Sequence, residues 1–339
     1  MRFIPAKTPN AGSQIGNSYL AKFARCPRDW FNTYYRPFQG GHGIQYRFTS
    51  EYLSAGRSFH EGIAELYRSG VRDGEDTGEW DIDRAIARMQ LEHTTTTIEY
   101  ESQEKAEETW QLIQSMLLNY HDEFCLTGNR PDFPTIRVLC DGEGSPLIER
   151  EFSIDLGFRD YVFTCRVDMI VSHHGYPKIM EHKTSAPGMW VGKRLASIHT
   201  DSQFTGECLV MASLFPEELI SEVLCNVVIK RGKTEIARRE STRRDHHDFN
   251  SYRLAVLDIL ESIDHRVEGY TSDIDRELPE LEAINRWFPD HGTRTGACEE
   301  YSGCQFKTLC LNKSRNDQFL QSFVPRSQQE VQEMIGNPK

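Results

Sequence analysis

The sequence has no run approaching the ~18 consecutive apolar residues that a membrane-spanning helix needs, and its opening residues, MRFIPAKTPNAGSQ, lack the apolar stretch of a secretory signal. Membrane and export readings are set aside, and a cytoplasmic chain is expected. There is no G-x4-GK-[ST] loop, and the nearest look-alike, GMWVGKR, has the wrong glycine spacing. The chain therefore carries no nucleotide-driven motor, and any helicase would be a separate partner. No internal repeat and no long low-complexity tract is present. Positive charge is not in excess either: 39 Lys and Arg stand against 51 Asp and Glu, for a net charge of -12. That balance argues against a protein that coats nucleic acid nonspecifically. It leaves open an enzyme that grips DNA through a local basic groove while carboxylates hold metal ions.

What is present is enough for a core: 339 residues, 38% hydrophobic and 27% charged, a globular mixture of one large domain or two ordinary ones. The N-terminal third reads as helical. SYLAKFARCPRDWFNTYY (18–35) spaces Tyr19, Phe23, Trp30 and Tyr34 helically, with Pro27 restarting a helix after Cys26. Ser54 to Arg68 puts Phe59, Ile63, Leu66 and Tyr67 on one stripe, and two further helices are expected over 81–91 and 101–125. After the loop LTGNRPDFP, residues 136–184 read as an antiparallel meander. A helix over roughly 200–214, the strand EVLCNVVIKR and a long amphipathic helix over 251–270 follow. This order predicts an α/β fold with helices flanking a central mixed sheet.

The informative stretch is CRVDMIVSHHGYPKIMEHKTS (165–185). Alternation puts Ile179, Glu181 and Lys183 on one face of a strand. A two-residue turn at His174-Gly175 sets Asp168 opposite Glu181, with Cβ atoms ~4.5–5.5 Å apart. Two carboxylates at that distance suit a hard cation such as Mg²⁺ or Mn²⁺. Such a cation lowers the pKa of bound water and polarises a phosphodiester, and a lysine two residues away can orient or deprotonate the water. Read alone, D…ExK is more often a cross-strand surface salt-bridge cluster. Its neighbours raise it: His60 in the helix GRSFHEGIAELY, Glu149 and Glu151 on the preceding strand, Gln203 opening the helix after the hairpin, and cysteines at both chain ends.

In that order the chain resembles the RecB-type branch of the PD-(D/E)XK nuclease superfamily, and within it the iron–sulfur exonucleases related to AddB and to the CRISPR-associated single-strand exonucleases. The resemblance implies a restriction-endonuclease-like core. It further implies metal ligation by His60, Asp168 and Glu181 with the His182 main-chain carbonyl, a catalytic Lys183, and a Gln203 that organises the site. The family often has a tyrosine four residues after that glutamine, and here Glu207 stands there.

Cys298, Cys304 and Cys310 follow C-x5-C-x5-C in GACEEYSGCQFKTLC, and Cys26 lies near the other end of the chain. Three thiols on a short Gly-bearing loop can converge on a metal centre that a distant thiol completes. The resemblance implies a [4Fe-4S] cluster, a structural clasp joining the termini. Zinc also accepts four cysteines, although the close C-x2–4-C pairs of structural zinc sites are absent. Cys125, Cys140, Cys165, Cys208 and Cys225 read as ordinary buried thiols.

Basic residues gather locally at Lys193-Arg194, Lys230-Arg231, Lys233, Arg238-Arg239 and Arg243-Arg244, with Trp190 and Phe204 available to stack on bases. The 238–244 stretch is as readily a solvated charged loop. The division expected is a helical region over 1–134, a nuclease core over 135–270 and a cysteine-rich segment over 271–339 packed with the N-terminus. The activity expected is metal-dependent exonucleolytic hydrolysis of single-stranded DNA or DNA ends, in recombination, repair or phage DNA metabolism, with a helicase or recombination partner. The rivals are a noncatalytic iron–sulfur DNA-binding subunit and a zinc-stapled interaction protein.

Overall fold

A computed structural model describes residues 15–39, 41–46, 51–95, 103–126, 136–159, 161–218, 220–230, 237–290, 298–299, 303–313 and 316–326. Along the chain, α1 spans Asn17–Arg25 and is followed by the turns Pro27–Trp30 and Phe31–Tyr35. Next come α2 (Glu51–Ser69), α3 (Ile82–Thr95) and α4 (Gln103–Tyr120), the last running into a wider turn over His121–Leu126. The strands β1 (Arg137–Val138), β2 (Ile148–Asp155), β3 (Val162–His173) and β4 (Tyr176–Ser185) follow. Then come α5 (Met189–Ile198), α6 (Ser202–Leu214), β5 (Glu222–Ile229) and β6 (Ala237–Arg243). Last are α7 (His246–Asp275), α8 (Glu280–Trp287) and α9 (Lys307–Leu311).

The chain forms two compact units, one of Phe48–Phe152 with Arg166–Phe249, the other of Met1–Arg47, Ser153–Cys165 and Asn250–Lys339. The boundary expected at 134 does not divide it. Phe59, Ile63, Leu66 and Tyr67 of α2, Met89 of α3, and Ile113, Met116 and Leu117 of α4 share one apolar core with Met169, Met180 and Leu224 of the sheet. A Cβ on Gly62 would meet Leu117 at 3.1 Å and Met89 at 3.2 Å, so the absence of a side chain there lets the helices approach. Truncating a side chain as enclosed as Phe59 costs about 3–5 kcal/mol.

The sheet is ordered β6–β5–β4–β3–β1, with β2 also paired to β3. β3 and β4 are antiparallel, β4 and β5 parallel, β5 and β6 antiparallel. The parallel step needs a crossover, which α5 and α6 supply. β5 reads EVLCNVVI and is buried over almost its whole length, as a central strand covered on both faces must be. β6 reads ARRESTR, and the charged loop anticipated there is an edge strand, where charges deter pairing with other chains. The helix expected over 200–214 is α6, and a further helix, α5, precedes it, starting soon after β4 with Gly188, at φ +74°, as its N-cap.

In the other unit, residues from the two chain ends pack together. Arg28, buried, donates from Nε to the Phe288 carbonyl at 2.5 Å and from its Nη2 to Asn285 Oδ1 at 2.7 Å. Phe31 stacks on Phe288 with ring centroids 4.4 Å apart. The strand Ile44–Tyr46 pairs with Phe323–Pro325.

Candidate active site

His174 (φ +56°) and Gly175 (φ +80°) form the two-residue turn between β3 and β4, both in the left-handed region that such a turn requires. The ladder then pairs His173 with Tyr176 and continues to Met169 with Met180. One step on, Asp168 and Glu181 face each other, and the main-chain ladder gives way to side chains. The Asp168 N–H donates to Glu181 Oε1 at 3.0 Å, and the His182 N–H donates to Asp168 Oδ2 at 2.7 Å. Each strand's main chain thus holds the carboxylate of the other.

On the α6 side, Asp201 caps the helix by accepting the Gln203 N–H at 2.9 Å, which fixes where Gln203 begins. The Gln203 amide then bridges. Its Oε1 accepts from Lys183 Nζ at 3.2 Å, and its Nε2 donates to Glu181 Oε2 at 3.2 Å and to Glu207 Oε1 at 2.7 Å. Lys183 Nζ also donates to Glu181 Oε2 at 3.1 Å. Glu207, standing where the family often has a tyrosine, is buried, and among the described residues its Oε2 has no hydrogen-bond partner.

From α2, whose apolar stripe is anchored in the core, His60 points Nδ1 at Asp168 Oδ1, 3.3 Å away. A third donor joins them. Among the described residues, His60, Glu149 and Asp168 bring one ligand atom each to within 4.8 Å of one another. Glu181, expected in that trio, is not among the three ligand atoms within 4.8 Å of one another, and its oxygens accept from the Asp168 N–H, Lys183 and Gln203. Glu149 was seen as a neighbour only. Its φ of +52° breaks the regular alternation of β2, so period-two reasoning could not aim its side chain. Its Oε2 also forms an ion pair with Arg166 Nε, 3.2 Å away.

The model of the PD-(D/E)XK nuclease superfamily matches residues 15–311 of this chain. The chain belongs to that superfamily. Among solved structures it is similar to an alkaline exonuclease (LHK-Exo) from Laribacter hongkongensis, at 12% identity and TM-score 0.29, and to LHK-Exo in complex with dAMP, at 14% identity and TM-score 0.30. Each match covers 66% of this chain and 100% of the other. No curated protein matches the sequence.

The electrostatics of the nuclease pocket are those of an acidic cluster short of a cation. Burial pushes the Glu149 carboxyl up to about 7, with Asp168 adding to the rise. Glu181 is likewise pushed up to about 7 by burial and Asp168, against the pull of Lys183. Burial also works upward on Asp168, but His60 and His182 prevail and hold it well below the usual carboxylate range. Burial pulls Lys183 down, and Glu181 and Asp168 overcome it, so the ammonium is retained. Glu207 is held well above the carboxylate range by burial and by Glu181. A histidine nitrogen and two carboxylate oxygens of this kind form a donor set that fits a divalent cation, the class of metal used by PD-(D/E)XK nucleases. The His182 main chain presents its N–H to Asp168, and its residue is paired with Asn226 of β5.

The remaining nuclease residues divide. Trp190 on α5 is 55% exposed, with Lys193 Nζ 4.8 Å from its ring centroid. Arg194 and Lys230 are half-buried, the Lys230 N–H donating to the Ser185 carbonyl at 2.8 Å. Arg231 and Lys233 lie outside the described residues. Arg244 is buried and structural, bonded to Thr205 Oγ1 at 2.8 Å and to the Ile198 carbonyl at the end of α5 at 3.1 Å. Phe204, considered for base stacking, is fully buried with Lys183 Nζ 5.5 Å from its ring centroid, so it supports the site from within.

All nine cysteines are free thiols. Cys26, buried, ends α1, while the Cys304 N–H donates to the Cys298 carbonyl at 2.9 Å and Cys310 lies buried in α9. Burial pushes Cys304 up to about 11 and Cys310 up to about 12. Burial raises Cys298 as well, and Cys26 adds to the rise at all three. Folding thus draws the distant Cys26 into electrostatic reach of the other three. Thiolate sulfur is a soft donor, and a strongly binding centre could deprotonate thiols such as Cys298, Cys304 and Cys310, which their surroundings push up.

No helix among the described residues is long and apolar enough to cross a membrane.

Proposed function

We propose that this nuclease is a divalent-metal-dependent deoxyribonuclease that digests single-stranded DNA or DNA ends exonucleolytically, in recombination, repair or phage DNA metabolism alongside a separate helicase or recombination partner. The observation that carries the reading is the reciprocal hold of Asp168 and Glu181 by each other's main chains, with Lys183 locked beside them. His60, Asp168 and Glu149 would hold Mg²⁺ or Mn²⁺, next to Glu181 and the His182 carbonyl. The chemistry a bound divalent ion supplies is Lewis-acid activation of the phosphodiester and of the attacking water. Lys183 has two acceptors pinned, Glu181 Oε2 and Gln203 Oε1. It keeps a third N–H for the water or for the charge developing on phosphorus-bound oxygen. Gln203 accepts from that lysine, donates to its other partner, Glu181, and has no proton to transfer. Trp190 would stack on a base while Lys193, Arg194, Lys230 and Arg231 meet phosphates, which makes binding fall steeply with added salt.

A [4Fe-4S] cluster on Cys26, Cys298, Cys304 and Cys310 belongs to the same reading, as a clasp within the unit built from the chain ends. What supports it is the soft, four-thiol chemistry of that set.

The test is anaerobic purification, elemental analysis, and cleavage of 5′- and 3′-labelled oligonucleotides with and without Mg²⁺ or Mn²⁺. Metal-dependent shortening from one end of single strands is expected. Binding of DNA without any cleavage in either metal would instead establish the noncatalytic DNA-binding subunit, and zinc in place of iron would replace the cluster assignment.

A further inference from the structure

Behind Asp168 lies a row of buried polar side chains that the hydrolytic reading does not use. It follows the sheet register. His182 on β4 is paired with Asn226 on β5, and Asn226 with Arg239 on β6, so the three side chains share one face of the sheet. His182 is 1% and Asn226 0% exposed, and Tyr120 of α4, also fully buried, covers them. Apolar side chains would fill this space at less cost, because buried polar groups must all find partners. These do.

The donors and acceptors fix the direction of the whole row. Arg239 can only donate, and its Nε gives a 2.7 Å hydrogen bond to Asn226 Oδ1. The Asn226 amide is thereby oriented with Nδ2 towards Tyr120 Oη at 3.0 Å and His182 Nε2 at 3.3 Å. Tyr120 Oη lies 2.9 Å from His182 Nε2, and the Tyr67 hydroxyl lies 2.9 Å from Tyr120 Oη. At the far end the Asp168 carboxylate only accepts, and its Oδ2 is 3.2 Å from His182 Nδ1. His182 therefore carries its proton on Nδ1 and offers a lone pair at Nε2 to Tyr120 and Asn226.

We propose that His182 is a positioning residue for Asp168. Its main-chain N–H and its ring Nδ1–H both engage Oδ2, which leaves Oδ1 to face His60, and Tyr120, Asn226 and Arg239 hold the ring in the tautomer that does this. The inference rests on the reading of Asp168 as a metal ligand. Supporting partners of a ligating group are commonly worth about 10–100-fold in metal affinity.

The test uses the full chain without DNA, titrated with Mn²⁺ by calorimetry and by electron paramagnetic resonance, so that the readout is binding and not cleavage. His182→Leu is expected to weaken Mn²⁺ binding by about 10–100-fold. His182→Asn, whose amide N–H can replace the ring Nδ1–H, is expected to restore most of that loss. Tyr120→Phe, which removes one oxygen, is expected to show a smaller loss. A merely structural role would lower the melting temperatures of the Leu and Asn variants without separating their affinities, and that result overturns the proposal. If His182→Leu does not fold, Tyr120→Phe decides, and wild-type affinity in it counts against the proposal. Asp168→Ala serves as the reference. Undiminished binding there means that the ligand reading itself has failed, whereas lost binding there with wild-type binding in His182→Leu means that only this inference has.

Discussion

The acidic site and the set of terminal cysteines are built in opposite ways, and among the described residues only the first brings three ligand atoms within 4.8 Å of one another. The acidic pocket draws Glu149, Asp168, Glu181 and Lys183 from consecutive strands, and hydrogen bonds among its own members fix its geometry. The thiol set draws Cys26 from one end of the chain and Cys298, Cys304 and Cys310 from the other, and among the described residues the only hydrogen bond shown between its members is main-chain, from the Cys304 N–H to the Cys298 carbonyl. Hydrogen bonds fix the side chains of the acidic site relative to one another. On the reading proposed above, loading the thiols would couple metal binding to proton release and to the stability of the unit they belong to. On that reading one set would serve exchangeable ions and turnover, the other a centre that stays.

The largest effect should come from breaking the pocket. On the proposed reading, Asp168→Ala or Lys183→Ala would remove a group at the reacting atoms and is expected to reduce cleavage by at least ~10³-fold, the order of electrostatic stabilisation or proton handling such a group supplies. Iron content should be unchanged, because the thiols do not depend on either residue. Cleavage of labelled single-stranded DNA in saturating Mg²⁺ measures the first quantity and elemental analysis the second. Normal cutting by either variant would show that the pocket is not the site.

The converse variant, Cys304→Ala, should abolish the brown absorbance and lower the melting temperature by several degrees, as loss of a metal clip closing a long loop does. Mn²⁺ binding by the pocket should survive at temperatures where the variant is folded. Undiminished iron would remove the cluster from Cys304, and a parallel loss of Mn²⁺ affinity would mean that the two clusters are not independent.

How much of this could be read from the sequence follows the same contrast. The hairpin was legible because His174-Gly175 is a turn signal and the side-chain period of a strand is two, which together put Asp168 across from Glu181. Gln203 was named through the resemblance, and the Asp201 cap that sets it at the start of α6 is seen only in the structure. Three features were not legible, each for its own reason. The positive φ of Glu149 turns a carboxylate into the ligand set without a sequence signal. The arginines of β6 look like a loop until the edge position of that strand is known. The division of the chain depends on long-range packing of α2 to α4 on the sheet, which no single segment encodes.

The smallest expected effect concerns the cost of assembling the pocket, and Glu207 isolates it. This carboxyl is 1% exposed, Gln203 donates to one oxygen, and the other oxygen has no partner. The charged and titratable groups acting on it are Glu181, Lys183 and Asp168. Its folded pKa is raised, first by burial and then by Glu181, so the folded state prefers the neutral acid. For an acid shifted in this direction, the unfolded chain releases its proton first as pH rises. Folded stability is then lost progressively from the unfolded value near ~4.3 upward until the folded group itself ionises. Glu207→Gln keeps the shape and the acceptor for Gln203 but cannot ionise, so it removes that slope. At pH 8 the variant should melt about 2 °C above the wild type, the shift that roughly 1 kcal/mol produces in a domain of this class. The gap should narrow towards pH 5. Calorimetric melting across pH 5 to 9 measures it, and a difference of constant size at every pH would assign the effect to packing and remove Glu207 from the charge balance of the pocket.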